Sequence, residues 1–225
     1  MEILKKIIYV IACVFIALVF ALASTKVFSH EGDYKMPVFN IQKADESVVM
    51  IAHIDGSFKA TGFYVGKDTI VTNAHVVIEQ TSPFSEGEPL SHVLCWNKAG
   101  DVALGQVTYI DETQDVAFIT LINNDLGLTA LVLATTIPAR GHTIYSVGHP
   151  LAQLWSFSKG YVSHKAQRQK TGEIRVTADM LGTFGASGSP VMNSRNELVG
   201  ILSQVMSAGS GVFYIPLSVF IDKLP

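Results

Sequence analysis

The chain has 225 residues, 48% of them hydrophobic and 16% charged, and a net charge of −3 at pH 7. That is apolar material for one sizeable core, or for two half-sized lobes around a shared site. The balance excludes the basic face that a nucleic-acid partner needs, and none is expected.

The N-terminus stands apart from the rest. Lys5 and Lys6 precede Ile7 to Thr25, 19 residues without a charge. A basic start before an apolar run is read by an export machinery, with the positive charge kept inside. Ala21-Leu22-Ala23 offers small residues for a cleavage before Ser24, which makes residues 1–25 a signal peptide. Uncut, 19 residues at ~1.5 Å each span roughly 28 Å, enough for a membrane anchor through residues 7–25. Either outcome leaves the remainder outside the cytoplasm, anchored in a membrane, secreted or periplasmic. Cys13 and Cys95 are the only cysteines, so the exported part has no internal disulfide and depends on packing.

Residues 26–46 read as a polar linker. From 47 to 225 short apolar runs alternate with turn residues, as in Val48–Ile54, Thr69–Thr72, Val102–Ile110, Val116–Ile122, Thr143–Val147 and Leu198–Val205. Many positions are β-branched or aromatic, and Gly66-Lys67-Asp68 and Asn193-Ser194-Arg195-Asn196 punctuate them. The spacing predicts one mainly-β domain of barrel or sandwich type. Pro216 is placed to open a short terminal helix running to about Leu224.

Three polar residues lie in apolar surroundings. His75, in Thr72-Asn73-Ala74-His75-Val76-Val77, follows a strand; by itself it reads as a core or turn histidine. Asp115, in Gln114-Asp115-Val116-Ala117-Phe118-Ile119, leads into another strand; by itself it reads as a turn residue. Ser187 lies in Thr183-Phe184-Gly185-Ala186-Ser187-Gly188-Ser189-Pro190, where Gly, Ser and Pro also suit an ordinary turn. Taken together they supply a nucleophile, a base to accept its proton and a carboxylate to orient the base. Gly185 and Gly188 let the backbone bend tightly around Ser187, so that the N–H groups of Gly185 and Ser187 can face one developing oxyanion. Asp101, Asp111 and Asp179 are rival carboxylates but read as turn, loop and structural residues. No His-Glu-x-x-His occurs and His92 with Cys95 is a single weak pair, so neither a metal site nor any cofactor is expected. An α/β-hydrolase requires its histidine last in the chain, whereas no His follows His164.

The ordered motifs Thr-Asn-Ala-His-Val, Asp-Val-Ala-Phe and Gly-Ala-Ser-Gly-Ser-Pro resemble those of chymotrypsin-like serine proteases, most closely the protease domain of the bacterial HtrA/Deg family. Ser146-Val147-Gly148-His149-Pro150, Glu197-Leu198-Val199-Gly200-Ile201 and Gly211-Val212-Phe213-Tyr214-Ile215-Pro216 extend the resemblance across most of residues 47–225. It implies two six-stranded β-barrels with a short C-terminal helix and a cleft between the barrels. His75 and Asp115 would come from the first barrel and Ser187 from the second, in an enzyme acting on protein or peptide substrates. Ser189 stands where the family more often has Gly. Ala186 stands where digestive members carry Asp, so activation by a new N-terminus is not expected. The chain stops directly after the expected helix, so no PDZ module is expected, and the sequence carries no marker of oligomeric state. By position relative to Ser187, the pocket floor falls to Leu181 and Gly182 and the walls to Ser203, Gln204, Val205 and Gly211. That lining implies cleavage after small or medium aliphatic residues. The alternative is a chymotrypsin-fold protein that binds without cutting, or one that cuts only after a partner reorders its oxyanion loop.

Overall fold

The computed structural model describes residues 38–225 except 80–86, 124, 207–210 and the side chain of Lys59. The export segment and most of the expected linker lie outside the described residues. One compact unit spans Val38–Pro225, so residues 38–46 belong to the folded domain rather than to a linker. They form a short helix, α1 (Ile41–Asp45), because the Asn40 side chain accepts the Lys43 N–H at its start. Asn40 is also clasped reciprocally: its N–H donates to Asn196 Oδ1 at 2.8 Å and its carbonyl accepts from Asn196 Nδ2 at 2.7 Å. Phe39 stacks on Tyr145 with ring centroids 4.4 Å apart.

The first six-stranded barrel is built from β1 (Val48–Ala52), β2 (Phe58–Gly66), β3 (Thr69–Thr72), β6 (His92–Trp96), β7 (Val102–Asp111) and β8 (Val116–Ile122). It closes in the order β1-β2-β3-β8-β7-β6. Two short strands, β4 (Ile78–Glu79) and β5 (Glu88–Pro89), pair outside it. The second barrel uses β10 (Thr143–Gly148), β11 (Ser156–Arg168), β12 (Ile174–Asp179), β13 (Pro190–Met192), β14 (Glu197–Val205) and β15 (Val212–Pro216). It closes through the β13–β14 pairing, and β9 (Val132–Leu133) adds in parallel to the start of β14. The expected C-terminal helix is two 3₁₀ turns, Leu217–Val219 and Ile221–Lys223. Among the described residues no helix is long and apolar enough to cross a membrane.

Three apolar clusters explain why several strands read as continuous apolar runs. Val49, Ile51, Ile70, Ala117 and Ile119 fill the first barrel, and Ile144, Val162, Val199, Leu202 and Tyr214 fill the second. A third cluster joins the barrels: Val48, Val71, Val116 and Phe118 from one meet Met192, Leu198, Ile201 and Ile215 from the other. Side chains alternate across a strand, so successive residues of β8 feed the barrel interior and the joint in turn. A strand buried on both faces loses the polar alternation of a half-exposed one.

Candidate active site

His75 lies on a 3₁₀ turn (Ala74–Val76) immediately after β3, and Asp115 precedes β8, the hydrogen-bonded neighbour of β3. That pairing brings them together: His75 Nδ1 is 2.8 Å from Asp115 Oδ1, which also accepts the His75 backbone N–H at 3.1 Å. The other carboxylate oxygen accepts the Ser203 hydroxyl at 2.6 Å. The Asp115 side chain is 11% exposed and that of His75 46%, so the carboxylate is enclosed while the ring meets solvent. Asp115 holds a positive φ of 60°, uncommon for a residue with a Cβ. Asn73 Nδ2 steadies it by donating to the Asp115 carbonyl at 2.9 Å. Close by, Arg175 is 2% exposed on its side chain and donates to the Gln114 carbonyl at 3.0 Å. Burial holds its guanidinium below the usual arginine range, opposed by the charges of Glu173 and Asp115.

Ser187 lies between β12 and β13, in a loop whose carbonyls from Thr183 to Ser187 are all engaged. The carbonyls of Phe184, Gly185, Ala186 and Ser187 accept from Leu151 N, Thr61 Oγ1, Ser189 N and Thr61 N. The N–H groups of Ala186, Gly188 and Ser189 donate to Thr183, Leu202 and Ala186. Among the described residues, the N–H groups of Gly185 and Ser187, like those of Thr183 and Phe184 before them, have no protein acceptor. Two glycines permit the path. Gly185 (φ 89°) and Gly188 (φ 83°) are in the left-handed region, and a Cβ on Gly188 would come within 2.0 Å of the Thr61 carbonyl.

One cleft of about 660 Å³ is lined by His75, Asp115 and Ser187 together with Phe184, Leu202, Ser203, Gln204 and Val205. The Ser187 hydroxyl donates to the Ser203 carbonyl at 3.2 Å, and no hydrogen bond joins it to His75. Of the expected pocket residues, Ser203, Gln204 and Val205 line the cleft, whereas Leu181, Gly182 and Gly211 do not. Leu181 is 74% exposed and lines a separate pocket of about 220 Å³ behind the Ser187 loop. Gly182 packs against Val212: a Cβ there would be 2.5 Å from Val212 Cγ1. Glu112 and Glu173, not singled out in the sequence, add carboxylates to the cleft. The Ser203 hydroxyl on Asp115 is a contact that a place in the pocket wall does not imply. Among the described residues, no three His, Cys, Asp or Glu side chains are grouped to hold a metal ion.

A family model described as a trypsin-like peptidase domain matches residues 60–201. Mitochondrial serine protease HTRA2 of Drosophila virilis is 27% identical over 173 residues, covering 72% of this chain and 39% of that protein. The glutamyl endopeptidase of Staphylococcus aureus (strain MW2) is 29% identical over 166 residues, covering 65% of this chain and 46% of that one. The chain thus spans less than half the length of these curated relatives. Among solved structures, the active form of the Rv3671c protease from M. tuberculosis superposes with a TM-score of 0.68 at 18% identity, covering 82% of each chain. The serine endoprotease from Yersinia pestis gives 0.64 at 18% identity, over 81% of this chain and 64% of that one. These likenesses establish the chymotrypsin-like double barrel. The matched segment runs from β2 through the Ser187 loop to β14, and the chain belongs to the trypsin-like peptidase family.

Proposed function

We propose that the chain is a serine endopeptidase in which Ser187 is the nucleophile, His75 its base and Asp115 the residue that orients the base. The observation that carries this reading is the pair of uncommitted N–H groups, Gly185 and Ser187, in a loop that opens on the same cleft as the Asp115-bound imidazole. The hydroxyl has to redirect its proton from the Ser203 carbonyl to His75 Nε2. The Ser187 Oγ–carbon bond then forms, and the carbonyl oxygen becomes an oxyanion that accepts from the two N–H groups. Collapse breaks the peptide C–N bond, and the leaving amine takes the proton from His75 Nε2. Water, deprotonated by the same imidazole, hydrolyses the acyl ester and restores Ser187.

The substrate is an extended protein segment that pairs with Ser203–Val205, with a small or medium aliphatic residue before the scissile bond. Leu202 and Val205 in the cleft support an apolar partner, and Glu112 and Glu173 disfavour an acidic one. Methylene-scale differences in such a pocket are worth only about 1–3 kcal/mol, so selectivity among aliphatic residues is loose. The Ile7–Thr25 segment supports action outside the cytoplasm, with that segment as membrane anchor or removed signal.

The test is fluorophosphonate labelling and peptide cleavage by the wild-type protein beside Ser187→Ala. Labelling and cleavage of Val peptides, both lost in the variant, are the expected result. A preference for Glu or Arg peptides would overturn the pocket assignment. The Ser187–Ser203 hydrogen bond favours a second reading, a resting or silent protease-fold protein, and folded wild-type protein that takes no label would decide for it.

A further inference from the structure

Thr61, on β2 of the first barrel, touches the Ser187 loop of the second barrel at two peptides. Its N–H donates to the Ser187 carbonyl at 3.0 Å, and its hydroxyl donates to the Gly185 carbonyl at 2.8 Å. The hydroxyl meets His149 twice as well, the backbone N–H at 3.1 Å and ring Nδ1 at 3.2 Å. A hydroxyl has one proton and two acceptor sites. The Gly185 carbonyl can only accept, so the Thr61 proton is committed there, and both contacts from His149 must be donors. The ring is thereby fixed with its proton on Nδ1. Its Nε2 is buried without a hydrogen-bond partner, beside Trp155.

Residues 149–155 brace the neighbouring peptide. Leu151 N–H holds the Phe184 carbonyl at 2.7 Å, which directs the N–H of the same peptide, that of Gly185, to the opposite side. Leu151, Ala152 and Trp155 all have positive φ, of 50°, 58° and 52°. Backbone held in such sparsely populated regions persists only when its surroundings over-determine it.

Resting on the serine-peptidase reading, we propose that Thr61 is a positioning residue: its His149-oriented hydroxyl locks the Gly185–Ala186 peptide and thereby fixes the direction of the oxyanion donors on either side. The first barrel so contributes to the oxyanion site as well as to the His75–Asp115 pair. Thr61→Val keeps the shape and removes the hydroxyl.

The full chain carrying Thr61→Val is compared with wild type and Thr61→Ser. The expected result is a drop in kcat of about 10- to 100-fold for Thr61→Val, below the 10²–10³ seen when a donor itself is removed, with KM within about twofold. Binding of a tetrahedral peptide boronate should weaken in parallel, and Thr61→Ser should recover most of both. Should Thr61→Val fail to fold, the imidazole ¹⁵N spectrum of the wild type still decides, because the proposal requires His149 protonated on Nδ1 and bare on Nε2. The opposite tautomer overturns it, as does an unchanged kcat in folded Thr61→Val or a loss that lies wholly in KM. Wild-type protein that neither labels nor cleaves removes the serine-peptidase reading and this proposal with it. Active wild-type protein with an indifferent Thr61→Val removes the proposal alone.

Discussion

At the scale of single residues, the polar atoms in this site are recognisable by type but not by direction. His75, Asp115 and Ser187 each read by themselves as a core or turn histidine, a turn carboxylate and a loop serine; only their order along the chain singles them out in sequence, and the fold lines one cleft with all three. Ser203 is legible only as part of a strand. Whether its hydroxyl turns to solvent or to Asp115, 2.6 Å away, depends on strand register that no local pattern encodes. His149 is the sharper case, since nothing around it in sequence signals full enclosure, yet burial lowers its pKa to about 4. In the unfolded chain it titrates near its ordinary value of about 6.5. As pH falls between those values the unfolded state takes up a proton that the folded state refuses, so stability is lost on acidification and is flat again below about 4. At about 1.4 kcal/mol per pH unit, lowering pH from 7 to 4.5 should remove about 2 kcal/mol from the wild type that His149→Asn retains. Denaturant melts at the two pH values measure this; equal losses in both proteins would mean that His149 is charged or solvated in the fold.

At the scale of elements, the six apolar runs named in the sequence coincide with strands, whereas long strands such as β2 and β11 and the two ends of the domain are not legible there. Pro216 suggested a helix, but the residues after it form only 3₁₀ turns that lay Leu217 and Phe220 onto the joint between barrels. The end of the 26–46 stretch reads as linker because the helix there, Ile41–Asp45, is five residues long, too short for any periodicity to show. The unusual Ser189, noted in the sequence as a departure from the commoner Gly, has its explanation in the facing element. It precedes β13 and its hydroxyl projects at Gly148, the last residue of β10, where an added Cβ would lie 1.9 Å away. The two positions are therefore complementary in volume. Gly148→Ala should destabilise the protein by about 1–3 kcal/mol, as overpacking does. Adding Ser189→Gly should return most of that loss, a non-additivity readable in a double-mutant cycle of melting experiments. Additive effects would mean that the two side-chain positions do not share one space.

At the scale of the whole molecule, the sequence announced enough apolar residues for two lobes but could not say that a third cluster welds them. A residue such as Val116 is equally apolar whether it faces the interior of its own barrel or the neighbouring barrel. Only the closure of both sheets sorts the two faces. Because that shared cluster draws on both barrels, they should open together. Cys95, buried in the first barrel with its thiol pushed up to about 12 by burial, reports on this. Peptide-resolved maleimide labelling of Cys95 should share its midpoint temperature with amide exchange in β14 of the second barrel. Labelling at clearly lower temperature would separate the barrels energetically. The clasp between Asn40 and Asn196 has a mechanical consequence. The chain enters the domain pinned to the β13–β14 turn before it runs on into β1 of the other barrel. A pull applied ahead of Val38 is therefore received by the lobe that carries Ser187, and β1 is not peeled from its neighbours until the asparagine pair has given way.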